Sequence, residues 1–222
     1  MITIEIVSDI VCPWCFIGLR RLDEAIADVR QTVPDLVCHK HWHPFFLNPD
    51  TPPEGEPYLP FLERKFDGRA KVEAIFEHVR SAGRSHGVEF AFEKIQVRAN
   101  TLNAHRLIHW AQQQGNADAL VERLFAAQFQ QGENVADLAV LASIADECGY
   151  NRKDTEDYLA SAADTEISRQ LEKGFRDMGV SAVPTFIIGH QRVIVGAQAP
   201  SVIAEGLRQV LQRGSHDQEA AC

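Results

Sequence analysis

Two thiols stand two residues apart in Cys12-Pro13-Trp14-Cys15. At that spacing one sulfur can attack a disulfide and the other can release the adduct. The flanking residues say where the pair sits. Ile2-Thr3-Ile4-Glu5-Ile6-Val7 alternates and is rich in β-branched residues, which predicts a strand. Phe16 to Ile26 repeats apolar residues at helical spacing. The dithiol therefore falls at a strand-to-helix junction. A helix N-terminus carries about half an elementary positive charge and unpaired backbone N–H groups. A thiolate placed there is stabilised and nucleophilic at neutral pH. Cys12 is expected at the helix cap, the more exposed place. Cys15 is expected one turn in, within reach of a mixed disulfide on Cys12. Pro13 suits the first helical turn, where a missing N–H costs nothing. Half of a zinc site is the competing reading, but a closed site needs two further ligands and no second CxxC occurs. Two inert core thiols would not account for the junction. Redox chemistry is the preferred reading, with no metal at the thiols.

The rest of the chain must position that junction. Leu36 to Pro44 reads as a second strand, and strand–helix–strand implies a right-handed crossover with parallel pairing. His39, His41 and His43 alternate within it and share one face. That face is read as solvated or helix-covered rather than metal-binding, because the sequence places no carboxylate beside it. Six of the ten prolines lie between Pro44 and Pro60, so this stretch is an irregular connector and marks a boundary. From there to about Met178 apolar stripes recur at helical spacing, for example Val72-Ile75-Phe76-Val79 and Leu120-Val121-Leu124-Phe125-Phe129. They are read as packing faces. Val88 to Phe92 is short and alternating, a loop or a strand-like excursion. Val183 to Gly189 and Arg192 to Gly196 then form a hairpin, and Pro200 to Arg213 a last amphipathic helix. The order is βαβ, then ββα. The expected organisation is α/β, with a discontinuous unit of residues 1–46 and 179–222 interrupted by an inserted all-helical domain of residues 47–178.

A chain of 222 residues with 45% apolar content is long enough for substantial cores. Its formal net charge of −9 argues against nucleic acid or an anionic membrane surface as the main partner. No apolar run approaches the ~20 residues that span a bilayer. The N-terminus reads as a first strand, not a signal peptide, and the expected compartment is the cytoplasm. Cys38 and Cys148 are read as buried structural thiols, and Cys222 as a free thiol on a frayed tail.

Strand order with a CxxC after the first strand is that of the thioredoxin fold. The motifs resemble DsbA-like oxidoreductases, specifically the cytoplasmic FrnE type. The resemblance rests on Ser8-Asp9 before Cys12-Pro13-Trp14-Cys15, on Trp42-x-Pro44-Phe45-x-Leu47-Asn48-Pro49, and on Asn100-Thr101 with Ala104-His105-Arg106. It continues in Val183-Pro184-Thr185-Phe186 and Gly196-Ala197-Gln198, and runs from about residue 2 to 211. It implies thiol–disulfide exchange or isomerisation on protein substrates, with Cys12 attacking and Cys15 resolving. It implies a cis Val183–Pro184 bond beside the sulfurs, with Pro13, Trp14, Val183 and Pro184 contacting substrate by strand addition. No cofactor is implied beyond the redox-active Cys12–Cys15 pair, with glutathione as a candidate reductant. Asp9 is read as a turn residue or as a proton relay for Cys15, the turn role favoured. His105 and Arg106 either line a cleft or tie helices together. Two alternatives stay open: a glutathione-dependent transferase or isomerase of the kappa-class or chromene-carboxylate type, and a non-enzymatic client-binding module.

Overall fold

Alternation of Ile4 and Ile6 with Glu5 and Val7 gives the first strand one apolar face and one mixed face. In the computed structural model, which describes residues 1–219 with side chains through Arg213, that strand is β1, Ile2–Ser8. It lies inside the sheet. β2, Cys38–Pro44, pairs with it in parallel, Glu5 opposite His41 and Ile6 opposite Trp42. On the other side β5, Thr185–Ile188, runs antiparallel, Ile6 opposite Phe186. β6, Arg192–Val195, completes the order β2-β1-β5-β6. The helix after the dithiol, α1, spans Pro13–Arg30, and the last helix, α9, spans Pro200–Glu219. Together they cover the face that carries Ile4, Ile6, Phe186, Ile188 and Ile194, all buried. The opposite face is covered only in part. There α8, Thr165–Asp177, sets Phe175 against Val7 and Phe45.

Between β2 and α8 the chain forms β3, Glu56–Pro57; α2, Tyr58–Phe66; α3, Arg69–Arg84; and β4, Val97–Arg98. It continues with α4, Leu102–Gln114; α5, Asp118–Ala126; α6, Leu138–Glu147; and α7, Arg152–Ala160. This segment is not wholly helical, because β3 and β4 form a two-stranded ladder. Residues 88–92 pair with no strand, yet Val88, Phe90 and Phe92 are buried. Their alternation records burial in an irregular stretch, not a ladder. Phe16 of α1 stacks on Phe125 of α5 with ring centroids 5.3 Å apart. α1 is thus enclosed by the sheet on one side and the helical segment on the other, within one continuous buried cluster. α8 falls within residues 47–178 by sequence but packs on the sheet. Cys38 and Cys148, expected buried, are half-buried; Cys222 lies outside the described residues.

One glycine fixes how closely α1 meets the hairpin. A Cβ at Gly18 would lie 2.7 Å from Pro184 Cγ and 3.2 Å from Phe186 Cζ. A proline ring cannot rotate aside. Gly18→Ala is therefore expected to lose about 1–3 kcal/mol, the usual cost of overpacking. Gly174→Ala in α8, where nothing lies within 4 Å of the added carbon, is expected to gain about 0.5–1 kcal/mol from helix propensity. Urea unfolding of the two variants beside the parent checks both signs.

Candidate active site

Cys12 is the N-cap of α1, with φ −96° and ψ 109°, and Pro13 is the first helical residue. Its N–H donates to the Asp9 carbonyl and the Cys15 N–H donates to the Cys12 carbonyl, each at 3.0 Å. Both thiols are free, and both are buried, at 5% and 3% exposure. Cys12, expected to be the more exposed of the two, differs little from Cys15 in exposure. The two sulfurs differ in what they face: Cys12 lines a groove, whereas Cys15 is not among the groove's lining residues. Burial pushes the Cys15 thiol well above the ordinary cysteine value, and its hydrogen bond to Cys12 and the charge there push the same way. The Asp9 charge adds to this, while a backbone hydrogen bond from Asp9 opposes it. The ionised form of Cys15 is therefore disfavoured.

The hairpin loop closes over Cys12 from the far end of the chain. The Cys12 thiol donates to the Val183 carbonyl at 3.9 Å. The Val183–Pro184 peptide is cis. Pro184 stands behind, against Gly18, and its carbonyl accepts from the Gly196 N–H at 2.7 Å. Among the described residues the Val183 N–H has no partner. It is a backbone donor beside the sulfur that an extended chain can use.

The groove has a volume of about 450 Å³. Val11, Cys12, Pro13 and Trp14 form one wall, and Ser181, Ala182 and Val183 form another. The remaining wall comes from α2 and α3, through Tyr58, Phe61, Leu62, Ile75, Phe76 and Val79. Sequence periodicity treats those stripes as core, but Ile75 is 37% exposed because it looks into the groove. Gln128 also lines it. That residue follows α5 in a π-helical turn, Ala127–Gln131, is 2% exposed, and has no side-chain hydrogen bond among the described residues. A π turn rotates a residue off the regular stripe and recurs at functional sites. The only signal in the sequence is an amide in the apolar run Leu124-Phe125-x-x-Gln128-Phe129.

The other motif residues brace this geometry. Asp9 is 1% exposed, and its carboxylate accepts from the Leu47 N–H at 2.9 Å and the Val11 N–H at 3.5 Å. It also faces His105 Nε2 at 3.4 Å. The turn role is thus built, and no side-chain hydrogen bond joins Asp9 to Cys15. Asn100 donates to the Thr51 carbonyl and accepts from the Leu102 N–H, which fixes the start of α4. The Arg106 guanidinium donates to the carbonyls of Ala163, Leu159, Tyr158 and Ser161, tying α4 to the end of α7. Arg21 of α1 donates to the Ala197 carbonyl and, at 3.0 Å, to His86 just past the end of α3. That link sets the α3 wall and the hairpin at fixed heights along α1.

Three comparisons bear on this arrangement. The family model for the DSBA-like thioredoxin domain matches residues 3–208. The uncharacterized protein YwbO of Bacillus subtilis is 28% identical over 205 residues, covering 92% of this chain and 94% of that protein. A "probable DsbA oxidoreductase" from Streptomyces coelicolor superposes with a TM-score of 0.86 at 24% identity, covering 96% of this chain and 91% of that one. The cytosolic disulfide reductase DsbM of Pseudomonas aeruginosa, solved with GSH, gives 0.68 at 16% identity, covering 95% and 98%. At these identities the two structures show a shared fold.

The raised Cys15 thiol has a measurable sign. Its neutral form is favoured, so its reactivity should be low at neutral pH and should rise with pH only above the ordinary cysteine range, about 8.5. In Cys12→Ser, mass spectrometry of iodoacetamide adducts should show Cys15 alkylating later in the pH series than the half-buried Cys38. Fast Cys15 alkylation at pH 7 would contradict the burial argument.

Proposed function

The chain belongs to the DSBA-like thioredoxin domain family, and from that membership we propose that it is a thiol–disulfide oxidoreductase or isomerase acting on protein disulfides through Cys12 and Cys15. One observation carries the reading: Cys12 caps α1 at the wall of an apolar groove while Cys15 is enclosed behind it. The Cys12 thiolate attacks one sulfur of a substrate disulfide. A Cys12–substrate disulfide forms, and the other substrate sulfur leaves as a thiolate that takes up a proton. With Cys12 now in a disulfide, its charge no longer opposes ionisation of Cys15. Cys15 gives up its proton and attacks Cys12, releasing the second substrate thiol and leaving a Cys12–Cys15 disulfide. The same steps in reverse oxidise a substrate dithiol, and partial passage isomerises. The open N–H of Val183 supports binding of an extended segment, with Pro13, Trp14 and Pro184 shaping the strip beside the sulfur. The aromatic and aliphatic walls suit the apolar stretches that unfolded proteins expose.

Reduction of the Cys12–Cys15 disulfide needs a thiol donor, and two glutathione molecules leaving as their disulfide would supply both electrons. The presence of GSH with DsbM supports that choice. The description of DsbM as cytosolic supports a cytoplasmic location. Among the described residues no helix is long and apolar enough to cross a membrane.

Cys12→Ser should abolish reduction of insulin disulfides. Cys15→Ser should trap substrate on Cys12 as a stable mixed disulfide, read by mass spectrometry of the non-reduced digest. An adduct on Cys38, Cys148 or Cys222 instead would remove Cys12 from the role, and insulin reduction that survives Cys12→Ser would overturn the reading. Ile75→Glu separates binding from chemistry. A charge in the groove wall should lower kcat/KM on a protein disulfide by about tenfold, or ~1.4 kcal/mol, while alkylation of Cys12 by iodoacetamide keeps its parent rate.

A further inference from the structure

We propose that Glu5, His41 and His43 form a binding site for a borderline divalent cation of the zinc class, with His190 as a fourth ligand. The site lies on the sheet face turned away from α1 and is separate from the dithiol. Parallel pairing builds it: Glu5 stands opposite His41, and Val7 stands opposite His43. Side chains alternate along a strand, so Glu5, His41 and His43 project to one face. Their ligand atoms all lie within 4.8 Å of one another. His41 Nδ1 is 3.0 Å from Glu5 Oε2, and His43 Nε2 is hydrogen-bonded to the same oxygen. The other carboxylate oxygen lies 4.0 Å from His190 Nε2, in the tight turn between β5 and β6. Three imidazoles from two parts of the chain thus converge on one carboxylate.

The surroundings suit a cation. Phe175 of α8 packs against the His43 ring at 4.4 Å between centroids and holds it in place. Glu5 and His43 are largely screened from solvent, whereas His41 and His190 are exposed and leave an entry path. Zinc accepts nitrogen and carboxylate ligands at about 2.0–2.2 Å, and nitrogen donors select against magnesium and calcium. The bland account of the cluster is two histidine N–H groups shared on one carboxylate oxygen, and the experiment must tell these apart.

The test uses untagged full-length protein carrying Cys12→Ser and Cys15→Ser, which removes the two soft thiol ligands at the groove. Calorimetric titration with Zn²⁺ should show one ion per chain, and Co²⁺ should give visible d–d absorption without a thiolate charge-transfer band. Losing even an outer-shell partner costs about 10–100-fold in metal affinity, so Glu5→Gln or His41→Ala should weaken binding by roughly tenfold or more. Glu5→Gln keeps the shape of the side chain, and His41 is half-exposed, so both variants should keep the parent far-UV spectrum. No stoichiometric Zn²⁺ binding would overturn the proposal and leave the hydrogen-bonded cluster. Binding that survives both substitutions, or a Co²⁺ spectrum with a thiolate band, would overturn it in favour of a site at the remaining cysteines.

Discussion

The contact between the first turns of α1 and the loop before β5 is the constraint on which the site depends. It is possible because residue 18 has no side chain, so Pro184 can lie against the helix. At that distance the Val183 carbonyl reaches the Cys12 sulfur. The sheet serves the contact directly. β1 delivers the dithiol, and β5, its antiparallel neighbour, delivers the loop to the same end. Arg21 then ties the Ala197 carbonyl and His86 to one face of α1. Both walls of the groove are therefore referenced to a single helix, and that helix is packed on both sides.

Within that frame the two cysteines differ by direction rather than by exposure. Both are nearly inaccessible. Cys12 ends at the groove and Cys15 ends in the interior, where the cost of desolvating a thiolate is highest. In the proposed exchange the order of attack follows from this: the outer sulfur would meet substrate first, and the inner one would become easier to ionise once its neighbour's charge is used in a bond.

The junction of strand, dithiol and helix is legible in the sequence because two periodicities meet at residues 12–15. The hairpin and closing helix are legible for the same reason. The cis bond at Pro184 is a different matter: the resemblance implied it, whereas local spacing is silent on it. Periodicity also could not say what each stripe faces. Ile75 shares a helical stripe with Val72 and Phe76, but it borders an open groove and they are buried. Gln128 escaped because a π turn breaks the regular count of residues. The face carrying His39, His41 and His43 was legible as a face. Its carboxylate was not, since Glu5 reaches it only through the parallel register with a strand more than thirty residues away. α8 reads as one more helix of the segment before the hairpin, yet it covers the sheet, and only packing decides that.

The reach from Cys12 to Val183 spans 171 positions of chain. A protein is made from its N-terminus at about 5–20 residues per second, so the dithiol precedes its loop by roughly 10–30 s. Contacts this distant in sequence also form late, because the intervening chain must be ordered first. During that interval the two sulfurs exist without the groove and without the carbonyl that meets them. On the proposed function, discrimination among disulfides is thus a property of the finished molecule, while bare thiol reactivity comes earlier.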